Sequence, residues 1–224
     1  MTVAAVLFDL DGTLVDTAPD LVMVLNTLLV EFERPPMPYA IARNEVSNGA
    51  IGLLRLGFGR DLSDAEFESL RQRFLELYTK KVCVYSRLFI DIYALFNKLD
   101  HFSECWGIVT NKPQAMTDPL LAELGIAELP ASVVSGDRLQ ERKPHPAPLQ
   151  LAASEVGFAP EQCVYIGDAL RDIQAGKAAG MKTVAATYGY IRPGEDPRSW
   201  GANTVLRHPS ELAATLELLD EMPS

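Results

Sequence analysis

Val6-Leu7-Phe8-Asp9-Leu10-Asp11-Gly12-Thr13-Leu14-Val15-Asp16 passes abruptly from an apolar run to carboxylates, a glycine and a threonine, and that change decides how the chain is read. Val3 to Phe8 is short, apolar and valine-rich, the pattern of a strand covered on both faces of a parallel sheet. Such a strand delivers Asp9 and Asp11 to its carboxyl end, where open α/β sheets keep their ligand crevices. Alternate residues of an extended chain share a face, so Asp9 and Asp11 point one way and Leu10 returns to the core. Gly12 permits a sharp turn at once. An EF-hand loop is excluded, because with Asp9 as first ligand the glycine falls at the fourth position and not the sixth. A plain hairpin, which Asp-Gly between apolar residues also signals, competes until the rest of the chain is weighed.

Downstream the apolar period changes to that of a helix: Leu21, Val22, Val24, Leu25, Leu28, Leu29 and Phe32 follow Thr17 and Pro19. Pro35, Pro36 and Pro38 end it. Helical segments follow over Tyr39 to Val46 and Ala50 to Leu56, and a longer one starts at Ser63, which has capping-box spacing to Glu66. No strand is expected between Ala18 and about Lys81. Beyond it strands and helices alternate: helix Asp91 to Leu99, strand Trp106 to Thr110, helix Pro113 to Leu124, strand Ser132 to Ser135, helix Ala147 to Val156, strand Cys163 to Ile166, helix Ile173 to Ala179, strand Lys182 to Ala186, and a last helix from Pro209 to Leu219 capped by Ser210. Alternation of this kind implies a parallel sheet with helices on both faces.

The 224 residues are 48% hydrophobic, enough for a large core in one domain or one domain with an insert. The amino-terminal stretch has no positive charge before its apolar run, and no apolar stretch approaches the roughly 18 residues of a membrane span. Cys83, Cys105 and Cys163 lack disulfide or zinc-site spacing. The expected compartment is the cytoplasm. A net charge of −10 argues against extended contact with nucleic acid. A small anion can still bind where a metal or a few cations reverse the local field.

Several strands end in small polar sets: Asp9 and Asp11, Thr110-Asn111-Lys112, and Gly167-Asp168 with Asp172, while Arg142-Lys143-Pro144 lies in a loop. Parallel strands present the same end, so these groups converge on one crevice. Together they suit phosphoryl transfer. Asp9 is the candidate nucleophile; Asp11 is placed to protonate the leaving oxygen and then activate water. Asp9 and Asp168 are hard oxygen ligands suited to Mg²⁺. Thr110 can hold phosphate oxygens and Lys143 supplies fixed positive charge.

These four sets resemble, in order and spacing, the motifs of the haloacid dehalogenase-like hydrolases, and the resemblance covers nearly the whole chain. It implies a Rossmann-like core, residues 1–16 and 82–224, with an inserted helical cap at 17–81. It also implies a Mg²⁺ site of Asp9, Asp168 and the Asp11 backbone carbonyl, with Asp172 supporting that site or Lys143. Thr13 and Asn111 join the expected substrate contacts, as do Ser47, Asn48 and Gly49 of the cap loop, which resembles that of bacterial phosphoglycolate phosphatases. The carboxylate at Asp11, which the namesake dehalogenases lack, favours a phosphatase or phosphomutase acting on a small phosphorylated metabolite.

A narrower resemblance, to phosphatases of N-acetylmuramic acid 6-phosphate, rests on Tyr85-Ser86-Arg87-Leu88-Phe89 and on Thr187-Tyr188-Gly189-Tyr190-Ile191, Pro193, Pro197, Trp200-Gly201-Ala202 and His208-Pro209. Apart from that resemblance, this last stretch reads as an irregular loop. Ile90-Asp91 departs from the Pro-Gly of many relatives and bears on hinge geometry, not chemistry. His101, His145 and His208 are expected at the surface or as caps.

Overall fold

The computed structural model describes residues 3–96 and 105–221. Eight strands are described: β1 (Ala5–Phe8), β2 (Val15–Asp16), β3 (Arg87–Leu88), β4 (Cys105–Val109), β5 (Ser132–Val134), β6 (Cys163–Gly167), β7 (Lys182–Ala186) and β8 (Thr204–Leu206). Six of them form one parallel sheet in the order β5-β4-β1-β6-β7-β8. β1 is central, and the chain leaves it first toward β4 and β5, then returns to build β6, β7 and β8 on its other side. That reversal is a topological switch point, where such sheets open a crevice at their carboxyl edge.

The burial pattern explains the unbroken apolar runs. Val6, Phe8, Ile108, Val164 and Ile166 belong to a core on one face of the sheet, while Ala5, Leu7, Cys163 and Tyr165 belong to a second core on the other. The first face is covered by α5 (Gln114–Glu123), through Met116, Leu120 and Leu121, and by α8 (Leu212–Glu221), through Leu212, Leu216 and Leu219. The second is covered by α6 (Ala147–Val156) and α7 (Leu170–Ala179).

Between β2 and β3 stands the helical block: α1 (Ala18–Glu31), α2 (Tyr39–Ala42), a 3₁₀ segment Arg43–Asn48, α3 (Gly49–Phe58) and α4 (Asp64–Thr79). Ser63 caps α4 in a capping box with Glu66. Leu25, Leu28, Leu53, Leu70 and Phe74 are buried in one cluster, so these helices are held by packing of their apolar faces. β2 and β3 pair antiparallel, Val15 opposite Leu88 and Asp16 opposite Arg87, bringing the block's entrance beside its exit. The buried Asp20 carboxylate fastens the exit by accepting from the backbone N–H of Tyr85 and Ser86 and from the Ser86 hydroxyl.

Some expectations need correction. The last α-helix starts at Leu212, after a 3₁₀ turn Pro209–Glu211 whose cap is His208, its ring nitrogen accepting from the Ser210 N–H, so Ser210 is not the cap. His145 likewise caps its own turn, accepting from Ala147 N–H. The loop expected after β7 contains β8, and β2 and β3 also escaped notice because a strand of two residues has no readable period. At the expected hinge, Asp91 adopts φ 69°, the left-handed region that favours glycine. His101 and part of the expected helix Asp91 to Leu99 lie outside the described residues. Among the described residues no helix is long and apolar enough to cross a membrane.

Candidate active site

Register brings the polar strand ends together. Phe8 is level with Ile108 of β4 and Ile166 of β6, so Asp9, Thr110 and Asp168 leave three neighbouring strands at nearly the same height. Gly12 turns the chain at φ 88°, and a Cβ there would overlap the Asp168 carboxylate. Any other residue would both strain the turn and push Asp168 out of place.

Lys143 is the centre of the arrangement. Its ammonium is buried, 2.8 Å from Asp9 Oδ1 and 2.8 Å from Asp172 Oδ1. It also lies 2.7 Å from the Tyr165 hydroxyl and 2.9 Å from the Val109 carbonyl. The loop that carries it is clasped by Asn111, whose side-chain amide donates to the Lys143 carbonyl and whose side-chain oxygen accepts from the Lys143 N–H. Asp172 Oδ2 accepts from Ala169 N–H at the start of α7.

Asp9, Asp168 and Asp172 can bring one oxygen each within 4.8 Å of one another. Burial, partly offset by the Lys143 ammonium and reinforced by the neighbouring Asp172 carboxylate, pushes Asp9 up to about 6. Burial and the neighbouring Asp9 and Asp172 push Asp168 up to about 7. Asp168 Oδ2 accepts from Tyr190 N–H and the Ser47 hydroxyl, whereas its buried Oδ1 has no hydrogen-bond partner among the described residues. Crowded carboxylates with an orphaned oxygen are a donor set that fits a hard divalent cation.

Asp11 is held differently. Its Oδ1 accepts from the Thr17 hydroxyl at 2.6 Å and from Lys112 Nζ at 2.9 Å. The Lys112 ammonium lies 4.6 Å from the Tyr78 ring of α4. Burial works against its charge, yet the Asp11 carboxylate and Tyr78 together hold it above the ordinary lysine value. Burial likewise pushes the Tyr78 hydroxyl up to about 12.

These groups open on a cavity of about 400 Å³. Asp9, Asp11, Thr110, Asn111, Lys112, Arg142, Lys143 and Arg171 line one side; Ser47, Asn48, Gly49, Ile51, Arg71, Phe74, Leu75 and Tyr78 line the other. Further contacts join the sides: Ser47 to Asp168, Arg192 to Glu45, and Arg43 to the Gly189 carbonyl and the Tyr190 ring.

Of the residues expected at the site, Asp9, Asp11, Thr110, Lys143, Ser47, Asn48 and Gly49 line the cavity, and Asp168 and Asp172 stand behind Asp9. Thr13 does not join them, being fully buried outside the cavity wall. Asn111 reaches the wall, but its amide is occupied with the Lys143 backbone. Sequence reasoning missed Tyr165, whose hydroxyl bridges Lys143 and the Val109 carbonyl. It gave no role to Tyr190, whose hydroxyl donates to Asp16 and accepts from Ala18 N–H. A lone tyrosine in an apolar strand reads as core; its hydroxyl, which needs a buried partner, was the available signal.

The comparisons bear on this geometry. The family model of haloacid dehalogenase-like hydrolases matches residues 6–186. An N-acetylmuramic acid 6-phosphate phosphatase of Pseudomonas aeruginosa is 41% identical over 97% of this chain and 96% of its own. A phosphoglycolate phosphatase of Xanthomonas campestris is 42% identical over 93% of this chain and 94% of its own. Among solved structures, that of a predicted phosphoglycolate phosphatase from Haemophilus somnus superposes with a TM-score of 0.85 at 28% identity, over 96% of this chain and 99% of that one.

Proposed function

The chain belongs to the haloacid dehalogenase-like hydrolase family, and on that premise we propose that it is a Mg²⁺-dependent phosphomonoesterase working through an aspartyl-phosphate. The observation that carries this reading is the Lys143 ammonium at 2.8 Å from both Asp9 and Asp172, at the wall of a cavity that also receives Asp11. Residues 1–16 and 82–224 form the core in this reading and 17–81 the cap, in keeping with the adjacent entrance and exit at β2 and β3.

Asp9 attacks phosphorus in line, and the ester P–O bond breaks with its electron pair going to the leaving oxygen. Asp11, through the carboxyl oxygen not bonded to Thr17, gives that oxygen its proton. It then takes a proton from the water that attacks phosphorus, releasing inorganic phosphate and restoring the Asp9 carboxylate. Thr110 holds a phosphate oxygen. Lys143, fixed by Asp172 and Tyr165, keeps positive charge beside Asp9 and the incoming phosphate. The carboxylates of Asp9 and Asp168 and the backbone carbonyl of Asp11 would hold Mg²⁺, which supplies further neutralisation of the phosphate oxygens.

The proposed substrate is N-acetylmuramic acid 6-phosphate, in the cytoplasm. The relatives of that name and a cavity of about 400 Å³ with an apolar wall support it, since such a space takes a sugar ring. A second reading, 2-phosphoglycolate, has the support of the Xanthomonas relative. Side-by-side kcat/KM on the two esters decides, because the ratio measures differential transition-state binding. At least a 10-fold preference for the sugar ester is expected; the opposite preference overturns the assignment in favour of phosphoglycolate.

A further inference from the structure

Five cations line the cavity, Arg71, Lys112, Arg142, Lys143 and Arg171, in a chain of net charge −10. Three face the carboxylates of the sheet edge. Lys143 faces Asp9 and Asp172, Lys112 faces Asp11, and Arg171 lies in the field of Asp172, Asp9 and Asp168. Arg142 adjoins Lys143 on the core side. Arg71 is the cation of the opposite wall.

Arg71 sits on the face of α4 that also turns Phe74, Leu75 and Tyr78 toward the cavity. Its ion-pair partner is Glu68, one turn back at 2.9 Å, with side chains 32% and 63% exposed respectively. A pair that exposed contributes little and yields readily to a better partner. Tyr78 marks the inner end of the same face, its ring beside Lys112 and hence beside Asp11. Arg71 stands two helical turns away, roughly 10 Å along α4. The wall between them is Phe74 and Leu75. A ligand touching both ends carries its phosphate at Asp9, an uncharged body along Phe74 and Leu75, and a second anion at the far end. A planar guanidinium is suited to a carboxylate there, because its paired N–H donors match the two oxygens.

We propose that Arg71 is a specificity-determining residue that binds a carboxylate carried by the substrate remote from its phosphate, across a body the size of a sugar ring. This rests on the phosphomonoesterase reading above. In a two-carbon phosphorylated acid the carboxylate lies only a few bonds from phosphorus, short of Arg71 when phosphorus is at Asp9.

The test uses the full-length enzyme with Mg²⁺, Arg71→Gln and Arg71→Lys, and three esters. These are N-acetylmuramic acid 6-phosphate, N-acetylglucosamine 6-phosphate, which lacks the carboxylate, and p-nitrophenyl phosphate. The wild type is expected to prefer the carboxylated sugar in kcat/KM by on the order of 10-fold to 100-fold, the range of one charge-assisted contact. Arg71→Gln should collapse that ratio toward unity, chiefly by raising KM for the carboxylated sugar, with partial recovery in Arg71→Lys. No preference in the wild type overturns the proposal, as does a loss in Arg71→Gln that is equal for both sugars. If the wild type hydrolyses p-nitrophenyl phosphate and the ratio does not move, only the role of Arg71 falls. If it hydrolyses none of the three esters, the phosphomonoesterase reading falls and takes this role with it.

Discussion

Two lysines and an arginine on the cavity wall show how unlike its two sides are. On the sheet side, Lys143 is buried with two carboxylates, a hydroxyl and a carbonyl all within 2.9 Å, and Lys112 is buried against Asp11. On the helical side, Arg71 has one ion-pair partner among the described residues, and that partner is mostly exposed. The sheet edge gains rigidity from backbone register and from side chains that hold one another; the helical wall offers an apolar surface with adaptable polar ends. A phosphate is the same in every substrate, so its site can be fixed, whereas the remainder varies and suits a separate, replaceable wall.

If that division holds, substitutions on the sheet side should cost chemistry and those on the helical side should cost discrimination. Asp9→Asn should have the largest effect, lowering kcat on p-nitrophenyl phosphate by on the order of 10⁴-fold or more while leaving the fold intact by circular dichroism. Lys143→Met should come next, with roughly 10²- to 10³-fold loss in kcat. Unlike Asp9→Asn it should also unfold earlier, because it strands two buried carboxylates at a cost of about 3–5 kcal/mol. For a chain of this size each kcal/mol corresponds to roughly 2–4 °C in Tm.

Metal removal sharpens the same contrast through pH. Asp9 and Asp168 are raised by burial to about 6 and about 7, so between pH 4 and pH 7 the metal-free folded state binds more protons than the unfolded chain. Its stability from these groups is present below the unfolded value and is lost as pH rises through the folded values. Mg²⁺ binds the deprotonated carboxylates. The Tm gain on adding Mg²⁺ should therefore be small at pH 5 and several degrees larger at pH 8. A gain that is independent of pH would contradict a metal site at these carboxylates. The smallest effect is expected for Ser47→Ala, which removes the 2.9 Å bond from the helical side to Asp168. A few-fold rise in KM with kcat nearly kept fits a bond of about 1 kcal/mol; a collapse of kcat would make the helical side part of the chemistry.

Sequence alone revealed the sheet side well, for a physical reason. Strand ends are short-range features: Phe8-Asp9, Val109-Thr110 and Gly167-Asp168 each mark where apolar burial stops, and parallel topology does the rest. Ala147–Val156 was legible to the residue because its ends coincide with Pro146 and Gly157. What stayed hidden depends on long-range contact. Tyr165 looks like any core residue of β6 until Lys143 is brought to its hydroxyl, and Arg71 looks like a solvated helix residue until α4 faces the crevice. Thr13 shows the converse, since a threonine within a polar turn is here fully buried and does not reach the cavity wall. The Tyr188 and Tyr190 hydroxyls, which fasten the Thr187 to Ile191 stretch to the Thr13 carbonyl and to Asp16, could not be paired without the fold.

The division rests on Asp9 taking the phosphoryl group, and trapping tests that directly. Wild-type enzyme turning over p-nitrophenyl phosphate with Mg²⁺ would be acid-quenched within milliseconds, and the peptide containing Asp9 examined by mass spectrometry. A phosphoryl group on Asp9 that rises and decays in step with turnover, and is absent from Asp9→Asn, is the predicted result. Steady turnover with Asp9 never phosphorylated, or with full activity kept in Asp9→Asn, would contradict it.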